Sequence, residues 1–364
     1  MSGFLPGSLP RIGESSSFIS VISVANISFI KFSSTRLRLG CAMFKVVMFV
    51  CLLGLNINLN ANAASSVAIE VKPIKIGAHS YYVKGLPGAA SDENQGYMSN
   101  AGFVVTNAGV VVFDTLGTPA LAKSLVTAIK KITRLPIRRV IISHYHADHI
   151  YGMQVFKALG AEMWAHTAGQ EYIGSDEAPL RLAQRSEILK QWIAESIQVL
   201  PADIWLDGDT GFEMGGLHFE LRHVGPAHSS EDVAMFVKED SVLYSGDLVF
   251  KGRVPFVGNA DSRKWLEALD KLIAFKPKFM IPGHGAASSA PVADLGLTRD
   301  YLNFVRLAMG KAVTEFIPFD EAYAQTDWTQ FSRLPAFLEA NRANAYNTYL
   351  LMEREALTKL PPTK

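Results

Sequence analysis

Residues 143 to 150 read Ser-His-Tyr-His-Ala-Asp-His-Ile, so three histidines and an aspartate fall within six positions, directly after the apolar run Val140-Ile141-Ile142. Imidazole and carboxylate are first-choice ligands for zinc and its neighbours, and this density is that of a metal centre. Residues at i and i+2 leaving a strand point to one side, which places His144 and His146 to grip one ion. Asp148 and His149 open a helical pattern, Ile150, Met153, Phe156 and Leu159, closed by Gly160, where the chain has turned toward a second ion position. The competing reading is a polar turn in which Asp148 merely caps a helix. Turns, however, draw on Gly, Pro, Asn, Asp and Ser, whereas this one takes three of the chain's 9 histidines.

A catalytic metal needs ligands from several segments, and three more places show an apolar strand, a turn and then a ligand. Leu217, Phe219 and Leu221 alternate before Val224-Gly225-Pro226-Ala227-His228, and the run from Ser241 to Gly246 leads into Asp247. Phe279-Met280-Ile281-Pro282-Gly283-His284-Gly285 repeats the pattern with glycines on both sides of the histidine. Together they offer His144, His146 and His228 to one metal and Asp148, His149 and His284 to another, with Asp247 left to bridge. Each later segment taken alone reads equally well as a structural loop. His79, His166 and His218 read as structural or exposed; His223 shares the inward parity of Leu221 and is expected to be buried and hydrogen-bonded near the site.

The elements that must carry these residues alternate between two periods. Residues 118 to 133 read as an amphipathic helix with Leu121, Leu125, Ile129 and Ile132 on one face, between strands at Val110 to Phe113 and Val140 to Ile142. Asp261 to Phe275 is a second helix, with Trp265, Leu269 and Leu272 at helical spacing. Residues 178 to 198 and 289 to 355 are also helix-rich, the latter as an extension that packs on the domain or builds a homodimer. The expected division is a leader over 1–63, a domain over 64–288 and a C-terminal helical extension over 289–364.

The leader rests on its own grammar. Met43-Phe44-Lys45 is a short basic start, Val46 to Leu55 an apolar core, and Ala61-Asn62-Ala63 a small-x-small cleavage pattern, so the mature chain begins near Ala64 in a periplasmic or secreted protein. Whether translation starts at Met1 or Met43 stays open, as does retention of the segment as a membrane anchor. Both cysteines, Cys41 and Cys51, lie in this region, so every mature metal ligand must be His, Asp or Glu. A formal net charge of +1 offers no basic excess for nucleic acid, and a small-molecule substrate is expected instead.

The loop His144-x-His146-x-Asp148-His149, followed in order by His228, Asp247 and His284, resembles the metal-binding motifs of the metallo-β-lactamase superfamily from about Val71 to Gly285. The resemblance implies an α/β fold, a four-layer αββα sandwich with metals in a cleft at one sheet edge. It assigns Asp114, in Val111-Val112-Phe113-Asp114-Thr115, to the acidic position that supports the site from behind. Gly225-Pro226-Ala227-His228-Ser229 and the leader are most similar to the exported quinoprotein relay zinc metallohydrolases. Asp247, in place of the cysteine of many lactamases, argues against antibiotic hydrolysis as the physiological role.

The chemistry implied is hydrolysis of an ester, thioester, lactam or similar bond by two Zn2+ per chain, whose shared water loses a proton near neutral pH. Asp148 and Asp247 would orient the nucleophile. Lys251 and Arg253 are candidates to hold a substrate carboxylate, and Lys84 to Tyr97 reads as a loop that closes over the cleft, with Tyr97 a candidate contact. Two rivals remain: one Fe2+ held by His144, His228 and Asp247 for persulfide oxidation, and a non-enzymatic metal-binding or relay protein.

Overall fold

Strand period two sends Val110 and Val112 to one face of their sheet and Val111 and Phe113 to the other, and both faces are filled. The computed structural model describes residues 69–193 and 197–358; the leader expected over 1–63 lies outside them. The first half runs β1 (Pro73–Lys75), β2 (Ser80–Val83), β3 (Ala101–Thr106), β4 (Gly109–Phe113), α1 (Pro119–Ile132), β5 (Ile137–Ile141), α2 (Ala147–Ile150), α3 (Met153–Ala158), β6 (Glu162–His166), α4 (Gly169–Gly174), α5 (Glu177–Leu189) and β7 (Ile204–Leu206). Its seven strands lie in sequence order in one sheet, antiparallel from β1 to β4 and parallel from β4 to β7. The second half runs β8 (Thr210–Met214), β9 (Leu217–His223), β10 (Val233–Val237), β11 (Val242–Phe250), α6 (Ser262–Ala274), β12 (Phe279–His284), α7 (Pro291–Asp294), α8 (Gly296–Thr314), α9 (Phe319–Gln325) and α10 (Phe337–Thr358). Its five-stranded sheet is antiparallel except for the parallel pair β11 and β12.

Alternation along these strands makes three apolar layers. Val111, Phe113 and Ile141 of the first sheet meet Phe219, Leu221, Met235, Tyr244 and Ile281 of the second, which is the sandwich interior. Val110, Val112 and Val140 face outward onto Leu121, Leu125, Ile129 and Phe156 of α1 and α3. Leu243, Val249 and Met280 face the other way onto Trp265, Leu269, Tyr301, Val305 and Met309 of α6 and α8. The layers are therefore helix, sheet, sheet, helix, and α8 and α10 share one core cluster with β11 and β12. Among the described residues no helix is long and apolar enough to cross a membrane.

Two expected patterns shift. Ile132, assigned to the buried face of α1, is 40% exposed, because the helix ends there and Thr133 is extended. The run from Asp148 to Leu159 is two short helices, and Leu159 is 47% exposed. The break falls at Gly152, whose backbone lies against Thr115 and α1. A methyl group there would run into the Thr115 carbonyl oxygen and the Ala122 side chain. Neither backbone nor packed helix yields cheaply, so Gly152→Ala is expected to destabilise the protein by about 1–3 kcal/mol, as overpacking does. A urea midpoint unchanged from wild type would contradict the close approach.

Candidate metal centre

Parallel pairs β4/β5 and β11/β12 bring their C-terminal ends to the same edge of the sandwich, and that edge carries the ligand-type side chains. Asp114 follows β4 directly with a left-handed backbone, φ 62°. His144 and His146 follow β5, and Asp148 and His149 lie in α2. His228 sits on the turn after β9, and His284 ends β12. Asp247 departs from its expected place on a loop past the strand. It lies inside β11, because Gly246 takes a left-handed φ of 54° at a register irregularity and the strand then continues to Phe250.

Seven side chains meet in two sets, His144, His146, His228 and Asp247 in one and Asp148, His149 and His284 in the other; within each set the donor atoms lie within 4.8 Å of one another. His146 Nδ1 stands 3.0 Å from His144 Nε2 and 2.9 Å from His228 Nε2. Asp247 reaches both sets: its Oδ2 is 3.5 Å from His228 Nε2 and 3.2 Å from His284 Nε2, and its Oδ1 is 3.1 Å from His149 Nε2.

The outer nitrogens fix which lone pairs face inward. Ser143 donates its hydroxyl to Asp114 Oδ2 at 2.8 Å, so its oxygen accepts from His144 Nδ1 at 2.9 Å. His149 Nδ1 donates to Asp114 Oδ2 at 2.9 Å, and His284 Nδ1 to the Met98 carbonyl at 2.7 Å. A carboxylate and a carbonyl only accept, so all three rings carry a proton on Nδ1 and turn Nε2 to the centre. This use of a buried carboxylate to set ring tautomers is how metal sites orient their ligands, and it is where Asp114 stands.

The loops themselves are clipped from afar. Ser99 Oγ donates to the Asp148 carbonyl at 2.6 Å, and Thr115 Oγ1 to the His149 carbonyl at 2.7 Å. Glu231 accepts from the Tyr145 amide at 2.9 Å. Asn100 spans the halves, with Nδ2 donating to the carbonyls of Pro282 at 2.6 Å and Gly285 at 2.9 Å and its own amide donating to Gly283. None of these residues was singled out from the sequence.

Burial sets the charge states. It pushes His144 and His146 well below the usual imidazole range and His228 down to about 4, so these three rings stay neutral with lone pairs available. Burial alone would raise the Asp148 carboxyl, but His149 and His284 outweigh it and hold it at about 2. Asp247 is likewise held ionised against burial by His284 and His149. His149 is the exception: burial lowers it, but Asp247, Asp114 and Asp148 together raise it well above the usual range.

The donor set fits a cation. Asp148 Oδ2, His149 Nε2 and Asp247 Oδ1 are buried without a hydrogen-bond partner among the described residues, although they face one another. Buried polar atoms are normally satisfied, and three such atoms converging on one point are satisfied together by a metal ion. A cavity of about 130 Å³ opens onto Asp148, Asp247, His146 and His284.

The remaining sequence expectations sort around this cavity. Arg253 lines it, 5% exposed, with Nη1 donating to the Gly88 carbonyl at 3.0 Å. Lys251 does not: its ammonium pairs with Asp294 at 2.5 Å. Tyr97 is a core residue, 5% exposed beside Leu116 and Leu121, and its neighbour Met98 reaches the cavity instead. His223 is half-buried and stacks on His166 at 3.5 Å, its Nε2 on the Ser230 carbonyl; strand parity aims it inward, but the last residue of β9 meets β6 rather than the metal edge. Of the loop over 84–97, Ala89 and Ala90 form a wall of the cavity, and Asn94 ties the loop to itself through Ala89, Ser91 and Gly96.

The family model described as the metallo-beta-lactamase superfamily matches residues 94–284. The metallo-beta-lactamase IND-1 of Chryseobacterium indologenes is 27% identical over 219 residues, 58% of this chain and 80% of that protein. A linear primary-alkylsulfatase of Pseudomonas sp. is 23% identical, with 54% of this chain and 44% of its own length aligned. The solved structure of the stereoselective inverting sec-alkylsulfatase Pisa1 from Pseudomonas sp. superposes with a TM-score of 0.56 at 16% identity, covering 80% of this chain and 52% of that one, a likeness of fold. With a matched region that holds all seven metal-type side chains on the edge described above, the chain belongs to the metallo-β-lactamase superfamily.

Proposed function

We propose that the protein is an exported hydrolase that holds two zinc ions and breaks an ester, thioester, lactam or similar bond of a small molecule. The observation that carries this reading is the pair of donor sets with Asp247 reaching into both. Zinc in such a place supplies Lewis acidity and a water acidified to near neutral pH. His144, His146 and His228 would hold one ion, and Asp148, His149 and His284 the other. Asp148 and Asp247, kept ionised, lower the net charge of the centre and accept a hydrogen bond from the attacking water. The donors are all nitrogen and oxygen, which suits zinc. A complete second set, His149 and His284 with Asp148, favours two ions over a single iron. Relatives named as a β-lactamase, an alkylsulfatase and an O-demethylase differ in the bond they act on, so the fold leaves that choice to the cavity walls.

Elemental analysis of the purified mature chain is expected to give about two zinc per chain, as the double donor set requires. Asp148→Ala and His284→Ala should each lose the second ion and most turnover of a nitrophenyl ester or thioester panel. Unchanged metal and unchanged hydrolysis in both variants would sink the assignment, and about one iron per chain would transfer it to oxidation.

Asp114→Asn keeps the volume but removes the charge that orients His149 and, through Ser143, His144. Its expected effect is a loss of metal affinity of roughly 10–100-fold, read by competition with a chromophoric chelator; wild-type affinity would show that the carboxylate does not set the ligands.

The metal-free protein carries a pH signature with a defined sign. An unfolded imidazole takes up its proton near pH ~6.5, whereas buried His144, His146 and His228 resist it, His228 down to about 4. Between those values the unfolded chain binds more protons, so stability falls as pH falls through the window. His149, shifted upward, is protonated in both states through this window and adds no slope, while Asp232, raised by burial, opposes with one group against three. Thermal midpoints of chelator-treated protein should therefore drop from pH 7 to pH 4.5; a flat or rising profile would contradict the neutral assignment.

A further inference from the structure

We propose that Arg181 and Arg185 of α5, which line the metal cavity together with Arg253, form a subsite for the anionic group of the substrate, which is therefore a small organic oxoanion with a short apolar body. This rests on the hydrolase reading for the reaction but not for the binding. Residues four apart lie on one face of a helix, so the two α5 arginines present their guanidiniums together, and both line the metal cavity. Arg181 pairs with Glu177 at 3.1 Å on the helix surface. Arg185 forms no salt bridge among the described residues; its Nη1 lies 4.0 Å from the Met98 sulfur.

Arg253 is buried at 5% exposure and forms no salt bridge among the described residues, its donors going to the carbonyls of Gly88 and Val254. Its Nη1 is 3.3 Å from His284 Nδ1, but that nitrogen gives its proton to Met98 and so accepts nothing. Guanidiniums keep their charge, and Asp247, Asp148 and Glu339 act on Arg253 only from beyond salt-bridge distance, so a ligand oxoanion would meet a buried charge that no direct ion pair satisfies. Glu339, exposed at the rim, is the one carboxylate lining this cavity apart from the metal-type donors. Bound cations would add to the positive field, so the cavity selects anions.

The body of the ligand follows from the other walls. Ala89, Ala90, Met98, Phe256, Ala336 and Ala340 are apolar, four of them alanines, and about 130 Å³ is room for on the order of ten water-sized atoms. The wall from Ala336 and Ala340 comes from the C-terminal segment, held in place where the Val254 amide donates to the Pro335 carbonyl at 3.0 Å. The three arginines adjoin the metal-type side chains, Arg253 directly beside His284, and the apolar residues line the rest of the cavity; that lining describes an oxoanion of a short alkyl or acyl compound. Carboxylates and sulfonates share the planar or tripodal oxygen faces that guanidiniums bind.

The experiment is calorimetric titration of the metal-loaded full chain with hexanesulfonate, hexanoate and 1-hexanol. The wild type should bind at least one of the anions, and the better of the two identifies the oxoanion geometry. Arg181→Gln with Arg185→Gln should weaken anion binding at least tenfold and leave 1-hexanol unchanged, while Arg185→Lys, which keeps the charge, should recover part of the loss. Melting curves confirm that these half-exposed positions leave the fold intact. Wild-type anion affinity in the double variant, or no anion binding by the wild type, would overturn the subsite. A wild type that binds the anions yet hydrolyses nothing in the ester, thioester and lactam panel would remove the hydrolase reading and leave the subsite standing.

Discussion

Three carboxylates, Asp114, Asp148 and Asp247, are each less than a tenth exposed at one edge of the sandwich, and the protein must compensate their charge without water. An uncompensated buried ion costs several kcal/mol, so the arrangement of the edge follows from this requirement. Asp114 is met by three donors, the Ser143 amide and hydroxyl and His149 Nδ1. Asp148 and Asp247 are met only in part, by His149 and His284, and keep one unpartnered oxygen each. The outer carboxylate is satisfied by protein and serves to orient; the inner two are left to a cation. That division separates supporting residues from ligands without reference to any relative.

The sheets supply rigidity at the points where this compensation happens. His144, His146 and His228 follow strands on loops, Asp148 and His149 lie in the short helix after β5, and His284 ends a strand; Asp247 alone lies inside one, and that placement is instructive. Ser245-Gly246 before an aspartate reads as a turn from composition. In the folded chain Gly246 takes the left-handed conformation that a turn would need, yet the pairing with β12 resumes and the strand reaches Phe250. The bulge re-aims one side chain while keeping its backbone in the sheet, which holds Asp247 more firmly than a loop would.

What was legible in the sequence was what is periodic or chemically dense. Alternation in Val110 to Phe113 and in Leu217 to Leu221 gives the layers, and a cluster of scarce histidines gives the metal edge. What was not legible depends on partners far away in sequence. Asn100 matters because it meets Pro282, 182 residues on, and nothing in Ser99-Asn100 announces it. His223 has the parity of a site residue, but the position of β6 beside it decides that its ring stacks on His166. Lys251 and Arg253 look equivalent as charges two apart, and only the presence of Asp294 beside one and the cavity beside the other tells them apart.

The same distinction separates reaction from selection. Side chains that would do chemistry are short, buried and fixed by hydrogen bonds to backbone or carboxylate, and they come from the sheet edge. Those that would choose a substrate are long or sit on helices: Arg181 and Arg185 on α5, and Ala336, Glu339 and Ala340 where α10 begins, outside the region matched by the family model. A helix can shift along a sheet, or change its outward residues, at little cost to the core beneath it. Asp247 and His284 cannot, because their backbones are in the hydrogen-bond ladder, and the segment from His144 to His149 is clipped in place by Ser99, Thr115 and Glu231. The metal edge is therefore the part of this chain that membership of the superfamily explains, and the helical walls are the part in which its own substrate has to be sought.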